Sequence, residues 1–212
     1  MILCMFSPKE RELERGWPGR IDGDRVIQLA AQTLQAFFTG GGTAREHAEY
    51  PLAEVDLRAP VLRPPSVRIF DGKDFRFANP AAIHGPEDVV RLPAGVDEIQ
   101  PVLRLAAIVG AEGVFGGYTL MNDWFAPGLV GAKAHDFAIS LGPVVLTPPQ
   151  FELGREFEED VLTRAAANTR LLPGDVIATG LAVAKDLVRA GESVELELPS
   201  YPFWPLRNTV AA

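Results

Sequence analysis

Cysteine is almost missing from this chain. Its 212 residues hold one, Cys4, which cannot close an internal disulfide, and a cytoplasmic location is the expectation. Cys4 stands in no motif and reads as a packed core thiol. No apolar run approaches the ~20 residues of a membrane-spanning helix. There is no run of Lys or Arg, and the net charge is −8. That balance argues against nucleic acid or an anionic membrane surface as the main partner. The first residues, MILCMFSPKERELERG, put a short apolar start before the charges, the reverse of a signal peptide. Gly-x-Ser-x-Gly is absent, and the histidines lack an ordered partner motif, so serine-nucleophile chemistry has no support. Zinc spacing of Cys and His is absent too. Gly40-Gly41-Gly42 has no Lys-Ser/Thr after it. It ends a helical pattern rather than opening one, which excludes a phosphate loop.

What is present suits a folded, mainly β protein. The apolar fraction of 47% is ordinary, and the length allows one or two domains with a real core. Residues 1–60 read as a small separate unit. Met1 to Phe6 is a short apolar strand, and Asp22-Gly23 is a hairpin turn signal. Val26 to Phe38 carries apolar residues close to helical period, and the glycines at 40–42 stop it. His47 sits in a polar stretch that reads as solvated. Pro60, Pro64 and Pro65 mark the join to a larger unit over 61–212. There, short apolar runs alternate with Gly/Pro turns: Val67 to Phe70, Leu103 to Val109, Tyr118 to Met121, Phe137 to Leu141, Val176 to Thr179 and Ser193 to Leu198. The spacing predicts a rolled or sandwich-like β body. A helix over Glu156 to Asn168 interrupts it, with Phe157, Val161, Leu162, Ala165 and Ala166 on one face. The fold class is therefore α+β, mainly β.

The stretch Gly116 to Pro143 is the most informative. An apolar strand runs into Met121-Asn122-Asp123, then a Pro/Gly loop, then Lys133, Asp136 and a second apolar strand. A carboxylate on a strand end usually has a partner, because burying it alone costs several kcal/mol. In order along the chain stand LRPPSVR (Leu62 to Arg68), FANPAAIHGPEDVVRLPAG (Phe77 to Gly95), GYTLMND, GAKAHDF, SLGP and LLPGDVIATG (Leu171 to Gly180). This ordered set resembles the fumarylacetoacetate hydrolase superfamily over roughly residues 60–210.

The resemblance implies a mixed β-roll body with a small N-terminal α/β unit, assembled as a homodimer. It implies small ketoacid or β-diketone substrates and carbon–carbon hydrolysis, decarboxylation or isomerisation through an enolate. The family's divalent cation, magnesium or manganese, sits on a Glu-x-Glu pair and an Asp. Residues two apart on a strand share a face, and hard cations want several oxygens. The Asp corresponds to Asp123. The Glu-x-Glu positions correspond to Val102 and Arg104, which offer a cation no oxygen. Asp97 and Glu98 lie four or more residues too early for that register. The family lysine corresponds to Lys133, with Asp136 positioned to hold it; a structural Lys133–Asp136 pair is the equal alternative. His135 between them is expected to turn the other way. Thr179 and Gly180 are implied substrate contacts, with Leu181 where a further threonine is expected. The family's mobile lid, which carries a His and Glu, is replaced by the short link Ile69 to Asp74. His84 and Glu87 read as part of a structural turn. Two readings follow: an active member with a reduced or metal-independent site, or a degenerate member that binds a ligand or partner without catalysis. If the metal is gone, the Arg104 guanidinium is expected to stand in its place against Asp123.

Overall fold

A computed structural model describes residues 1–148, 150–152 and 154–212; the side chains of residues 155, 156 and 179–181 lie outside that description. The N-terminal part comprises β1 (Ile2–Pro8), β2 (Trp17–Asp22), β3 (Arg25–Leu29), α1 (Leu34–Thr39), β4 (Glu46–Pro51) and β5 (Val55–Arg58). Then follow β6 (Val67–Asp71), β7 (Asp74–Ala78), β8 (Ile83–His84), β9 (Val89–Arg91), β10 (Glu98–Ile99), β11 (Val102–Val109) and β12 (Phe115–Asp123). The chain continues through β13 (Ile139–Leu141), β14 (Val145–Leu146), α2 (Arg155–Ala166), β15 (Val176–Ala184), β16 (Val188–Arg189), β17 (Ser193–Leu196) and β18 (Leu206–Ala211).

One large mixed sheet dominates. Its path runs β4-β3-β2-β1-β14-β12-β11-β15-β6-β7, with β5 paired to β1 and β13 to both β12 and β8. β1 and β14 join the N-terminal strands to the rest, Ile2 lying opposite Leu146. β17, β18 and β9 form a smaller sheet. The fold is thus mainly β, as the turn-punctuated apolar runs require.

The sheet is covered on both faces at its centre. Ala106, Ile108 and Met121 belong to a core with Leu3, Met5, Val67, Ile69, Val176, Ala178 and the α1 residues Leu34, Phe37 and Phe38. Leu103, Leu105, Ala107, Tyr118 and Leu120 point the other way, into a core with Phe6, Leu146, Phe151 and Phe203. Two buried faces explain why β11 reads as an unbroken apolar run rather than an alternation.

Sheet curvature decides the site. From β12 to β7 the path is four strands, a flat separation of roughly 19 Å. Yet side chains of β12 and β7 meet at hydrogen-bond distance, Arg76 to Asp123. The sheet is therefore rolled, which brings one end of its first face together around charged groups. α2 braces this end. Val161 and Ala165 pack on Phe70, Val109 and Ile177. Arg164 donates to the carbonyls of Gly72 (3.1 Å) and Lys73 (2.8 Å) in the β6–β7 turn.

One expectation for the N-terminal part needs correction. The helix over Val26 to Phe38 is shorter: Val26, Ile27 and Leu29 belong to β3, and the helix spans Leu34–Thr39. β-branched Val26 and Ile27 suit the strand, where they pair with Ile21 and Arg20. Thr33 then starts the helix by accepting the Ala36 N–H at 3.0 Å. The segment around His47 is solvated as expected, on the exposed strand β4 that pairs with β3. The aromatic stretch near the C-terminus is partly buried by this chain itself, Phe203 stacking edge-on against Phe151 at 4.9 Å. Among the described residues no helix is long and apolar enough to cross a membrane.

Gly117 shows how tightly β12 is packed. A Cβ there would lie 2.6 Å from the Val145 side chain and 2.9 Å from the Leu146 carbonyl oxygen. Gly117→Ala is expected to destabilise the protein by about 1–3 kcal/mol, measured by denaturant unfolding. An unchanged midpoint would mean that β14 can move away freely.

Candidate functional site

Asp123 ends β12 and is fully buried. Strand alternation puts it on the face of Met121, the same face that Arg104 occupies on β11. Arg104 stands directly opposite Met121, so Asp123 is its diagonal neighbour, within reach of a long side chain. The Arg104 Nε donates to Asp123 Oδ2 at 2.9 Å. Its Nη2 pairs with Asp71 Oδ1 at 3.0 Å, and its Nη1 lies 3.4 Å from the Phe70 carbonyl oxygen. The expected Arg104–Asp123 pair is thus present.

A second arginine was not anticipated. Arg76 Nη2 lies 2.5 and 2.7 Å from the two carboxylate oxygens of Asp123. The same nitrogen is 3.2 Å from His135 Nδ1. His135 also lies 3.8 Å from Asp123 Oδ1 and stacks on Phe125 at 4.8 Å. It therefore lines the site, contrary to the expectation that it turns away. The sequence did carry a signal for Arg76. In Phe75-Arg76-Phe77, hairpin register sets Arg76 across from buried Ile69 and leaves Phe77 two-thirds exposed. The arginine takes the inward place that an aromatic usually holds.

The short β6–β7 hairpin is the source of this arrangement. β6 and β7 are joined by the tight turn Gly72-Lys73, with Asp71 opposite Asp74. That short hairpin delivers Asp71 to Arg104 and Arg76 to Asp123. Burial pushes the Asp123 carboxyl upward, but His135 and the Arg76 and Arg104 guanidiniums more than reverse it. The group is held below the usual carboxylate range.

The other expected site residues are placed as follows. Lys133 lies in a 3-10 turn, Gly131–Ala134, with its side chain 77% exposed, and its Nζ pairs with Asp136 Oδ2 at 2.7 Å. Asn79 Nδ2 donates to the Asp136 carbonyl oxygen at 2.9 Å, which holds the turn against β7. Thr179 and Gly180 are on β15, but their side chains are outside the described residues. Glu98 pairs with Arg189 at 3.1 Å on the β10–β16 ribbon, not with Asp123. His84 is not in a turn as expected but ends the short strand β8, paired with Ser140, whereas Glu87 lies in the turn that follows, at φ 66°. Asp88 accepts the Gly85 N–H at 2.6 Å, and Asn208 donates to the Gly85 and Asp88 carbonyls. Burial holds His84 below the ordinary imidazole value, against the pull of Asp88.

A cleft of about 310 Å³ opens beside the charged cluster, lined by Arg76, Phe77, Asn79, Ala132, His135 and Asp136. It combines a cation, an imidazole, an amide and a carboxylate in one small volume. That is the composition of a site for a small polar ligand.

The comparisons with known proteins agree with this architecture. No family model matches the chain. Protein Rv2993c of Mycobacterium tuberculosis is 28% identical over 74% of this chain and 84% of that protein. Maleylpyruvate hydrolase from Sphingobium sp. SYK-6, solved with manganese(II) and pyruvate, superposes with a TM-score of 0.76 at 21% identity, covering 100% of this chain and 99% of that one. A 2-keto-3-deoxy-D-arabinonate dehydratase complexed with magnesium and 2,5-dioxopentanoate gives 0.75 at 15% identity, with the same coverage. The chain has the fumarylacetoacetate hydrolase-like fold. Two of these solved relatives hold a divalent cation, but the residues of this chain do not fit one. Two guanidinium groups already lie against Asp123 and would repel a cation. Among the described residues no three of His, Cys, Asp and Glu cluster as a metal site.

Proposed function

We propose that this protein is a divergent member of the fumarylacetoacetate hydrolase superfamily that takes a small 2-oxo acid or β-diketone in the cleft beside Asp123. The observation that carries this is the placing of Arg76, His135, Asn79 and Asp136 around one small cleft in this fold. The resemblance extends the reading to enolate chemistry: carbon–carbon hydrolysis, decarboxylation or isomerisation. Pyruvate and 2,5-dioxopentanoate, held by relatives of the same fold, support the ligand class. Lys133 orients substrate oxygens, Asp136 holds Lys133, and Thr179 and Gly180 contact the substrate from β15. A homodimer belongs to the same proposal.

A second reading has its own observation. Lys133 stands in solvent and Asp123 is neutralised by arginines, which suits a member that binds without turning over. An acylpyruvate cleavage assay, run beside ligand-detected NMR with a panel of 2-oxo acids, separates the two. Turnover that disappears in Lys133→Ala, with the fold intact, is the expected result for the enzyme. Binding without turnover selects the second reading. A panel with no binder removes both.

A further inference from the structure

Arg76 is more than a lining residue. Its Nη2 is fully engaged by Asp123 and His135. Its Nε and Nη1 have no hydrogen-bond partner among the described residues, and the side chain is 29% exposed at the cleft wall. The guanidinium is thus anchored through Nη2, while the other two nitrogens of this cleft-lining residue keep free donors. Arg104, buried behind it, satisfies the second oxygen of Asp123 and ties it to Asp71 on the same hairpin that presents Arg76. The Arg76 guanidinium is held in position by this network before any ligand arrives.

We propose that the Arg76 guanidinium, seated on Asp123 and backed by Arg104, takes the divalent cation's role in this chain and binds the anionic oxygens of the ligand without metal. Three features favour this over a closed, inert ion pair. The guanidinium stays charged at any accessible pH, and its Nε and Nη1 can each give a charge-assisted hydrogen bond to an anionic oxygen. Burial of Asp123 locks one edge of the guanidinium, so little conformational entropy is lost on binding. His135 and Asn79 line the same cleft as Arg76, so the polar groups around a bound anion come from more than one element. The proposal rests on the cleft reading above but is tested apart from it.

The probe is oxalate, a planar dianion shaped like the enolate of pyruvate. Calorimetry with excess EDTA is expected to show one oxalate site in the wild type. Arg76→Gln is expected to weaken it about tenfold or more, as for loss of a charge-assisted hydrogen bond. Manganese(II) added alone to the wild type is expected to keep the free-ion electron paramagnetic resonance spectrum. Oxalate binding that requires manganese would overturn the proposal. So would stoichiometric manganese binding to the protein alone, oxalate affinity unchanged in Arg76→Gln, or no oxalate binding under any condition. If Arg76→Gln does not fold, the EDTA and manganese measurements on the wild type still decide. A 2-oxo acid that binds only with manganese would keep the proposed function and remove this inference.

Discussion

Asp123→Asn is expected to lower the unfolding free energy by about 3–5 kcal/mol, the usual cost of removing one partner from a buried ion pair. The asparagine keeps the shape and loses the charge. Arg104, nearly as buried as Asp123, is then left with Asp71 at the rim and one carbonyl. Arg76 and Arg104 also face each other across a neutral amide, and their repulsion is no longer offset. Denaturant titration measures the effect, and a midpoint unchanged from wild type would mean that the carboxylate contributes nothing. Acid unfolding gives an independent reading. The folded carboxyl of Asp123 lies below its unfolded value, so its stabilisation is fully present above the unfolded carboxylate value of about 3.9. It is lost as pH falls from there through the lower folded value. The wild type is therefore expected to lose stability more steeply below about pH 4 than Asp123→Asn does. Parallel acid arms would contradict this.

Building a cation site at Asp123 is the second large effect. Leu103 pairs with Asn122, so continuing the antiparallel register by one step sets Val102 across from Asp123. Glutamates at 102 and 104 would then stand directly and diagonally beside the aspartate on one face. That supplies three oxygen-bearing groups where the chain now offers one. The change Val102→Glu with Arg104→Glu leaves the Arg76 guanidinium on Asp123 and is expected to remain without metal. Adding Arg76→Ala is expected to create one stoichiometric manganese(II) site, seen as loss of the free-ion resonance. If the folded triple variant still leaves the ion free, the carboxylates do not converge as the register indicates. If the double variant already binds, Arg76 moves aside easily and does not guard the position.

Much of this protein was legible along the chain. The apolar runs of β11 and β12, the helix at Arg155–Ala166, and the turns at Gly23 and Gly72 follow from local period and backbone preference. Those forces act between near neighbours in sequence. The Arg104–Asp123 pair was legible for the same kind of reason, since adjacent strands in register convert sequence spacing into proximity. The helix expected over Val26 to Phe38 failed where the local signal was ambiguous. Val26, Ile27 and Leu29 suit either period, and pairing with β2 and β4 settled the matter.

Only the tertiary structure decided the rest. Arg76 and Asp123 are 47 residues apart and four strands apart along the sheet. No pattern in either segment encodes their meeting. It depends on how far the sheet rolls over its core and on the brace that α2 puts on the β6–β7 hairpin. The side that His135 faces was equally hidden, because a 3-10 turn does not obey strand alternation. The sequence by itself determined which strands form, which of their faces are apolar, and that Val102 and Arg104 bring no acid beside Asp123. The closed roll determined that a second guanidinium stands on Asp123, because a buried carboxylate takes whatever cation the fold brings within reach.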